Sequence, residues 1–166
     1  MSIETVILSD QVNEFLKPMF GKPCCKQRVS EPRGLRLGFG EKLYHQNQKL
    51  IDPYYGEWEL GTYYCAWRVV KAGRVLCGSD DSVESASELN AALASIQFGA
   101  ILNVEQLGGV DICVSFDTKI SVDFFATTSD ETDECIEIIH SPSHTAVEFT
   151  VGSGWLIGAS NAPWKR

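Results

Sequence analysis

The chain has 166 residues, 44% of them apolar and 22% charged, which is enough apolar material for one sizeable core and too much for a disordered tail. Fourteen glycines and six prolines exclude a collagen-like or low-complexity polymer, and no run nears the roughly 20 apolar residues of a membrane-spanning helix. The formal charge is −8, and the start, Met1-Ser2-Ile3-Glu4, shows no basic leader ahead of an apolar run, so a cytoplasmic protein is expected. Its six cysteines, Cys24, Cys25, Cys65, Cys77, Cys113 and Cys135, are then expected as reduced thiols.

The first element is a short helix from Ser9, with Val12, Phe15, Leu16 and Met19 spaced three and four apart and Pro18 limiting its length. Residues 21–56 mix Gly, Pro, basic and polar residues, with one extended piece around Leu35–Phe39, and are expected as the least regular third. From Glu57 to Val70 the chain is rich in Trp, Tyr, Thr and Val, and Lys71-Ala72-Gly73-Arg74 turns it into Val75-Leu76-Cys77 as a β-hairpin. A helix follows, capped by Asp81 or Ser82 with Glu84 closing a capping box, its apolar stripe Val83, Ala86, Leu89, Leu93 and Ile96, ended by Gly99. Alternation then predicts strands at 101–104, 111–116, 120–125, 135–139 and 146–151, with a short last piece at 155–157. About seven strands and two helices result. Most links are too short for parallel crossovers, so an α+β fold is expected: a mainly antiparallel twisted sheet with one main helix packed on it and a short N-terminal helix. All of 1–166 reads as a single domain, an irregular extension over 1–55 leading into an antiparallel core over 56–166.

Charge is unevenly placed. Residues 1–75 carry eleven Lys and Arg against eight Asp and Glu, whereas 76–166 carry three against fourteen. The carboxylates gather as Asp80, Asp81, Glu84 and Glu88, and as Asp130, Glu131, Asp133, Glu134 and Glu137. Such a field repels nucleic acid and attracts basic partners, although acidic loops that merely keep the chain in solution are the plainer alternative. The helix macrodipole accounts for the acidic residues at a helix start but not for Glu88, a turn further on in the predicted helix. Tyr54, Tyr55, Trp58, Tyr63, Tyr64 and Trp67 exceed what one strand face buries, so either a recognition surface or packing under the N-terminal extension is expected.

No constellation satisfies a known chemistry. Cys135, His140 and His144 lie close in sequence, but strand alternation sends Cys135 and His140 to opposite faces and Pro142 interrupts His140 and His144. Cys24-Cys25 lacks the spacer of a zinc pair. Gly152-Ser153-Gly154 has the wrong glycine spacing for a nucleophile elbow, and Gly38-Phe39-Gly40 lacks the rest of a phosphate loop. The carboxylates at 130–134 do not follow the EF-hand order and read as solvated. No catalytic residue, metal or cofactor is therefore expected.

Trp58-Glu59-Leu60, Trp67-Arg68-Val69-Val70 with Gly73 and Leu76, Ser79-Asp80 and Val114-Ser115-Phe116-Asp117 together resemble a group of small bacterial α+β proteins over about residues 56–166. The group includes immunity proteins of polymorphic toxin and contact-dependent growth inhibition systems. The resemblance implies a cytosolic, non-enzymatic inhibitor that binds a cognate toxin domain, often a basic nuclease. In that role Asp80, Asp81, Glu84, Glu88, Asp130, Glu131, Asp133, Glu134 and Glu137 would meet toxin Lys and Arg, with Tyr63 and Trp67 as anchors. No nucleic-acid or membrane partner is expected. Two other readings stay open: a small-molecule-binding accessory domain, and a small hydrolase or transferase relying on His140, His144 or Ser153.

Overall fold

The computed structural model describes residues 5–6, 9–31, 33–62, 65–83, 85–109, 111–131 and 133–161. Two six-stranded antiparallel sheets face each other across a shared core. In chain order the elements are β1 (Thr5–Val6), α1 (Asp10–Leu16), β2 (Cys24–Ser30), β3 (Gly34–Tyr44), β4 (Tyr54–Thr62), β5 (Cys65–Lys71), β6 (Arg74–Gly78) and α2 (Ala86–Ala94). They continue with β7 (Ile101–Leu107), β8 (Asp111–Phe116), β9 (Ile120–Ala126), β10 (Glu134–His140), β11 (Thr145–Thr150) and β12 (Gly154–Ala159). The first sheet runs β1-β7-β8-β9-β5-β6 and the second β12-β11-β10-β4-β3-β2.

The expected α+β class and antiparallel pairing are present, but one sheet of about seven strands becomes two sheets. The difference arises where the aromatic run 57–70 divides: β4 belongs to the second sheet and β5 to the first. Two inner faces can then bury the apolar sets of both sheets, which one helix on one sheet could not cover. The stretch 21–56, expected as irregular, supplies β2 and β3, whose alternation is hidden by glycines and by long cationic side chains. The pairing β3–β4 places Leu37 opposite Leu60 and Phe39 opposite Trp58, so residues before position 56 are integral to the core.

Alternation builds the interior. Ile112, Val114 and Phe116 on β8 and Ile120, Val122 and Phe124 on β9 point inward, toward Leu35, Leu37 and Phe39 on β3 and Ile136 and Ile138 on β10. Phe116 meets Phe39 of the other sheet at a ring separation of 6.0 Å and Phe98 at 5.1 Å. Each such ring, fully buried, contributes about 1.5–3 kcal/mol relative to exposure.

Helix α1 starts where expected: Ser9 Oγ accepts the Val12 N–H at 3.4 Å, and Phe15 packs edge-on against Trp58 at 5.2 Å. Helix α2 is shorter than the sequence suggests. It begins at Ala86, after an extended Ser85 whose side chain makes no cap bond, and ends at Ala94 rather than near Gly99. The predicted cap at Asp81 fails because that carboxylate accepts the Gly78 N–H at 3.2 Å instead, and Glu84 lies outside the described residues. Leu89 and Leu93 are buried as expected. Asn90 spans the edge of β2, accepting from the Val29 N–H at 2.7 Å and donating to the Val29 carbonyl at 2.8 Å. Gln27 donates to the carbonyls of Leu93 and Ile96 at 2.6 and 2.7 Å. The helix thus satisfies backbone groups that an uncovered edge strand would leave open. No helix among the described residues is long and apolar enough to cross a membrane.

Candidate functional site

Strand register decides which residues meet at each end of the sandwich. In the second sheet Ser30 pairs with Gly34, Ile136 with Thr62, Glu134 with Thr150 and Thr150 with Gly154. In the first, Leu107 pairs with Asp111 and Ala126 with Cys65. Two cross-sheet bonds bring these ends together: Cys65 Sγ to the Cys135 carbonyl at 2.8 Å, and Trp155 Nε1 to Gln106 Oε1 at 3.2 Å. This end therefore carries the loop after β6 and the β9–β10 loop, the two segments that hold the acidic clusters.

The loop after β6 is held by a single cation. Arg33 Nη1 donates to the carbonyls of Ser79 and Asp81, both at 2.9 Å, and its Nη2 to the Val83 carbonyl at 2.8 Å. Asp80 is exposed beside this clamp, while Asp81 is half-buried with its carboxylate on the Gly78 N–H. Glu88 is exposed in the first turn of α2, so the macrodipole favours it after all; its apparent displacement came from placing the helix start too early.

Asp130 and Glu131 are exposed and Asp133 half-buried. Their loop is folded on itself through Asp133 N–H to the Asp130 carbonyl at 3.2 Å, and is tied to the β11–β12 turn by Gly152 N–H to the Glu131 carbonyl at 3.0 Å. Gly152 is required there, since a Cβ would lie 2.6 Å from that of Glu131.

Glu134 and Glu137 leave the loop for the outer face of the second sheet. A register shift between Glu134 and Ile136 puts both on the side of Glu148, which faces Glu137 from β11. One carboxylate oxygen from each of the three lies within 4.8 Å of the others, and Glu148 is only 1% exposed. Burial pushes the Glu137 carboxyl above the ordinary glutamate range, Glu134 adds to the rise, and Arg36 opposes it. Arg36 reaches these carboxylates by lying across Gly61, where any Cβ would collide with the guanidinium. This is the group of potential metal ligands found among the described residues, with the Arg36 cation beside it. The trio could not be anticipated from sequence, because Glu148 sits in the apolar run Ala146–Thr150 and faces Glu137 only through strand pairing.

Trp67, expected as a partner-binding anchor, is instead a core residue at 2% exposure. Its indole N–H donates to the Arg33 carbonyl at 2.8 Å and its backbone N–H to Ser79 Oγ at 3.0 Å, so it supports the acidic loop from beneath. Tyr63, the other anchor, lies outside the described residues.

The groups weighed for catalysis or zinc do not converge. Cys135 is buried, His140 shares a 2.7 Å hydrogen bond with Ser143 and packs on Trp58, and His144 is exposed in a left-handed turn conformation. Ser153 follows the far end of β11 from His144, in an exposed turn. Near the histidines, the outer face of the second sheet forms a concavity of about 570 Å³ lined by Leu43, Tyr55, Glu59, Ile139, Pro142 and His144. The chain matches no known family model, no curated protein and no solved structure.

Proposed function

We propose that this chain is a stoichiometric protein inhibitor of the immunity type, docking its acidic end onto a basic toxin domain such as a nuclease. The carrying observation is the convergence at one end of the sandwich of two segments, 80–88 and 128–137, that contain no Lys or Arg. Asp80, Glu88, Asp130 and Glu131 project there in the open, on a frame fixed by Arg33 and Gly152. Carboxylates so arranged steer a basic partner and disfavour nucleic acid, and close charge pairs across such an interface couple by about 1.5–7 kcal/mol. Asp81 contributes as a loop brace rather than a contact, and Trp67 as a support.

The test captures partners with the tagged full chain from a bacterial lysate at low and high salt. The captured protein is then titrated for loss of its nuclease activity. One basic protein, inhibited with an end point at one to one, is the expected result. Changing Asp80, Asp130 and Glu131 together to Lys should slow association at least about tenfold and flatten its salt dependence. An unchanged rate removes this end from the interface, and no inhibition of any captured protein removes the function.

The concavity near Tyr55 favours a second reading, a small-molecule-binding accessory domain. That reading requires thermal stabilisation by a small ligand and survival of that effect in the triple-Lys variant.

A further inference from the structure

The six cysteines are free thiols, and their positions single out one pair. Cys24 packs against the core, while Cys25 next to it in sequence lies over Gly38, where an added Cβ would be 3.5 Å from its Sγ. Cys77 is on β6 and Cys113 on β8, two strands kept apart by β5 and β9, with Cys113 facing Asp123 on the outside. Cys65 and Cys135 differ from all four. Cys65 is the first residue of β5 and Cys135 the second of β10, in opposite sheets, at 9% and 2% exposure. The Cys65 thiol donates to the Cys135 carbonyl at 2.8 Å, with the Cys135 thiol as its side-chain hydrogen-bond neighbour.

We propose that Cys65 and Cys135 are a redox-modifiable pair, which a low-molecular-weight disulfide, glutathione disulfide, converts into a covalent staple between the two sheets. One protein thiolate attacks a sulfur of glutathione disulfide, forming a mixed disulfide and releasing one glutathione thiolate. The second protein thiolate attacks the protein sulfur of that bond, closing Cys65–Cys135 and displacing the other glutathione. The two cysteine sulfurs give up two electrons, glutathione disulfide takes them, and the two thiol protons end on two molecules of glutathione. Hydrogen bonding to Cys135 and burial hold the Cys65 thiol protonated, so exchange in the folded chain is slow and the staple closes most readily during folding. Its loop spans β5 to β9 and the long segment between, so closure removes much freedom from the unfolded chain. The acidic end is then fixed where β5 of one sheet and β10 of the other start.

The experiment refolds the full reduced chain in a glutathione redox buffer, alkylates the remaining thiols and maps peptides without reduction. The expected product joins Cys65 to Cys135 and leaves Cys24, Cys25, Cys77 and Cys113 alkylated. Its thermal midpoint should exceed that of the reduced chain by roughly 5–10 °C, and reductant should abolish the difference. Cys65→Ala and Cys135→Ala, made separately, should each remove that difference. A refolded chain in which Cys65 and Cys135 are alkylated, or bridged to other cysteines, overturns the proposal. The readouts are thiol connectivity and melting, so the result stands apart from whether a toxin partner exists.

Discussion

The two halves of the charge distribution are handled in opposite ways. On and just before β2, three cations meet carboxylates: Lys22 with Glu57 at 3.1 Å, Lys26 with Glu59 at 2.9 Å, and Arg28 in a two-bond contact with Asp52. At the acidic end the segments 80–88 and 128–137 contain no Lys or Arg, and the guanidinium of Arg33 is placed on three backbone carbonyls. The first arrangement stabilises a sheet face locally and leaves little net field. The second tolerates repulsion, and a field of one sign acts at a distance. Carboxylates that a fold holds exposed on a fixed frame are the better guide to recognition.

The frame is the place to break this contrast first. Trp67→Ala removes a buried indole and its bond to the Arg33 carbonyl, so unfolding free energy should fall by about 4 kcal/mol in urea titration. A loss below about 1 kcal/mol would mean that the acidic loop does not rest on Trp67.

Arg36→Met keeps the stem over Gly61 but removes the cation from Glu137 and its neighbours. A loss of about 2 kcal/mol at pH 7 is expected. At pH 5 the loss should shrink, as Glu137 takes up its proton.

Acidification should also separate the two regions by sign. Glu137 has a raised pKa in the folded chain, so its penalty grows as pH rises above the ordinary glutamate value of 4.5 and is relieved on acidification. Asp52 is held below its ordinary 3.8, first by the Arg28 hydrogen bond. Its contribution is complete above that value and is lost as pH falls through its folded pKa. Carboxyl carbon NMR should therefore show Glu137 taking up its proton first as pH is lowered and Asp52 only in stronger acid. The opposite order would refute both environments.

The smallest effect belongs to the exposed loop. Asp130→Lys with Glu131→Lys should change stability by no more than about 0.5 kcal/mol, whatever it does to partner association, because both residues are exposed. A larger loss would show that these carboxylates serve the fold.

The C-terminal strands were legible because β8 and β9 alternate cleanly, with Ile112, Val114 and Phe116 and then Ile120, Val122 and Phe124 inward, joined by a turn in which Lys119 takes a positive φ of 65°. β2 and β3 were not, because Lys26, Arg28 and Arg36 are amphipathic stems on an outer sheet face, and Gly38 breaks the pattern where Lys26 crosses to Glu59. The α2 boundary failed for a local reason: Asp81 has two backbone targets available, and the turn at Gly78 wins. Of the residues proposed for partner binding, the exposed acidic ones could be named from composition alone. Trp67 could not be assigned, since an aromatic residue on a strand reads alike whether one sheet or two lies over it.

Sequence by itself determined the antiparallel α+β character, the strand faces of the C-terminal half and the separation of charge along the chain. These depend on periodicity and local composition, which neighbouring residues carry. Tertiary structure alone decided that there are two sheets, that both acidic loops share one end, that Glu148 joins Glu134 and Glu137, and that Cys65 meets Cys135. Each of these is a contact between distant segments, set by strand register and by how two inner faces bury their apolar side chains against each other.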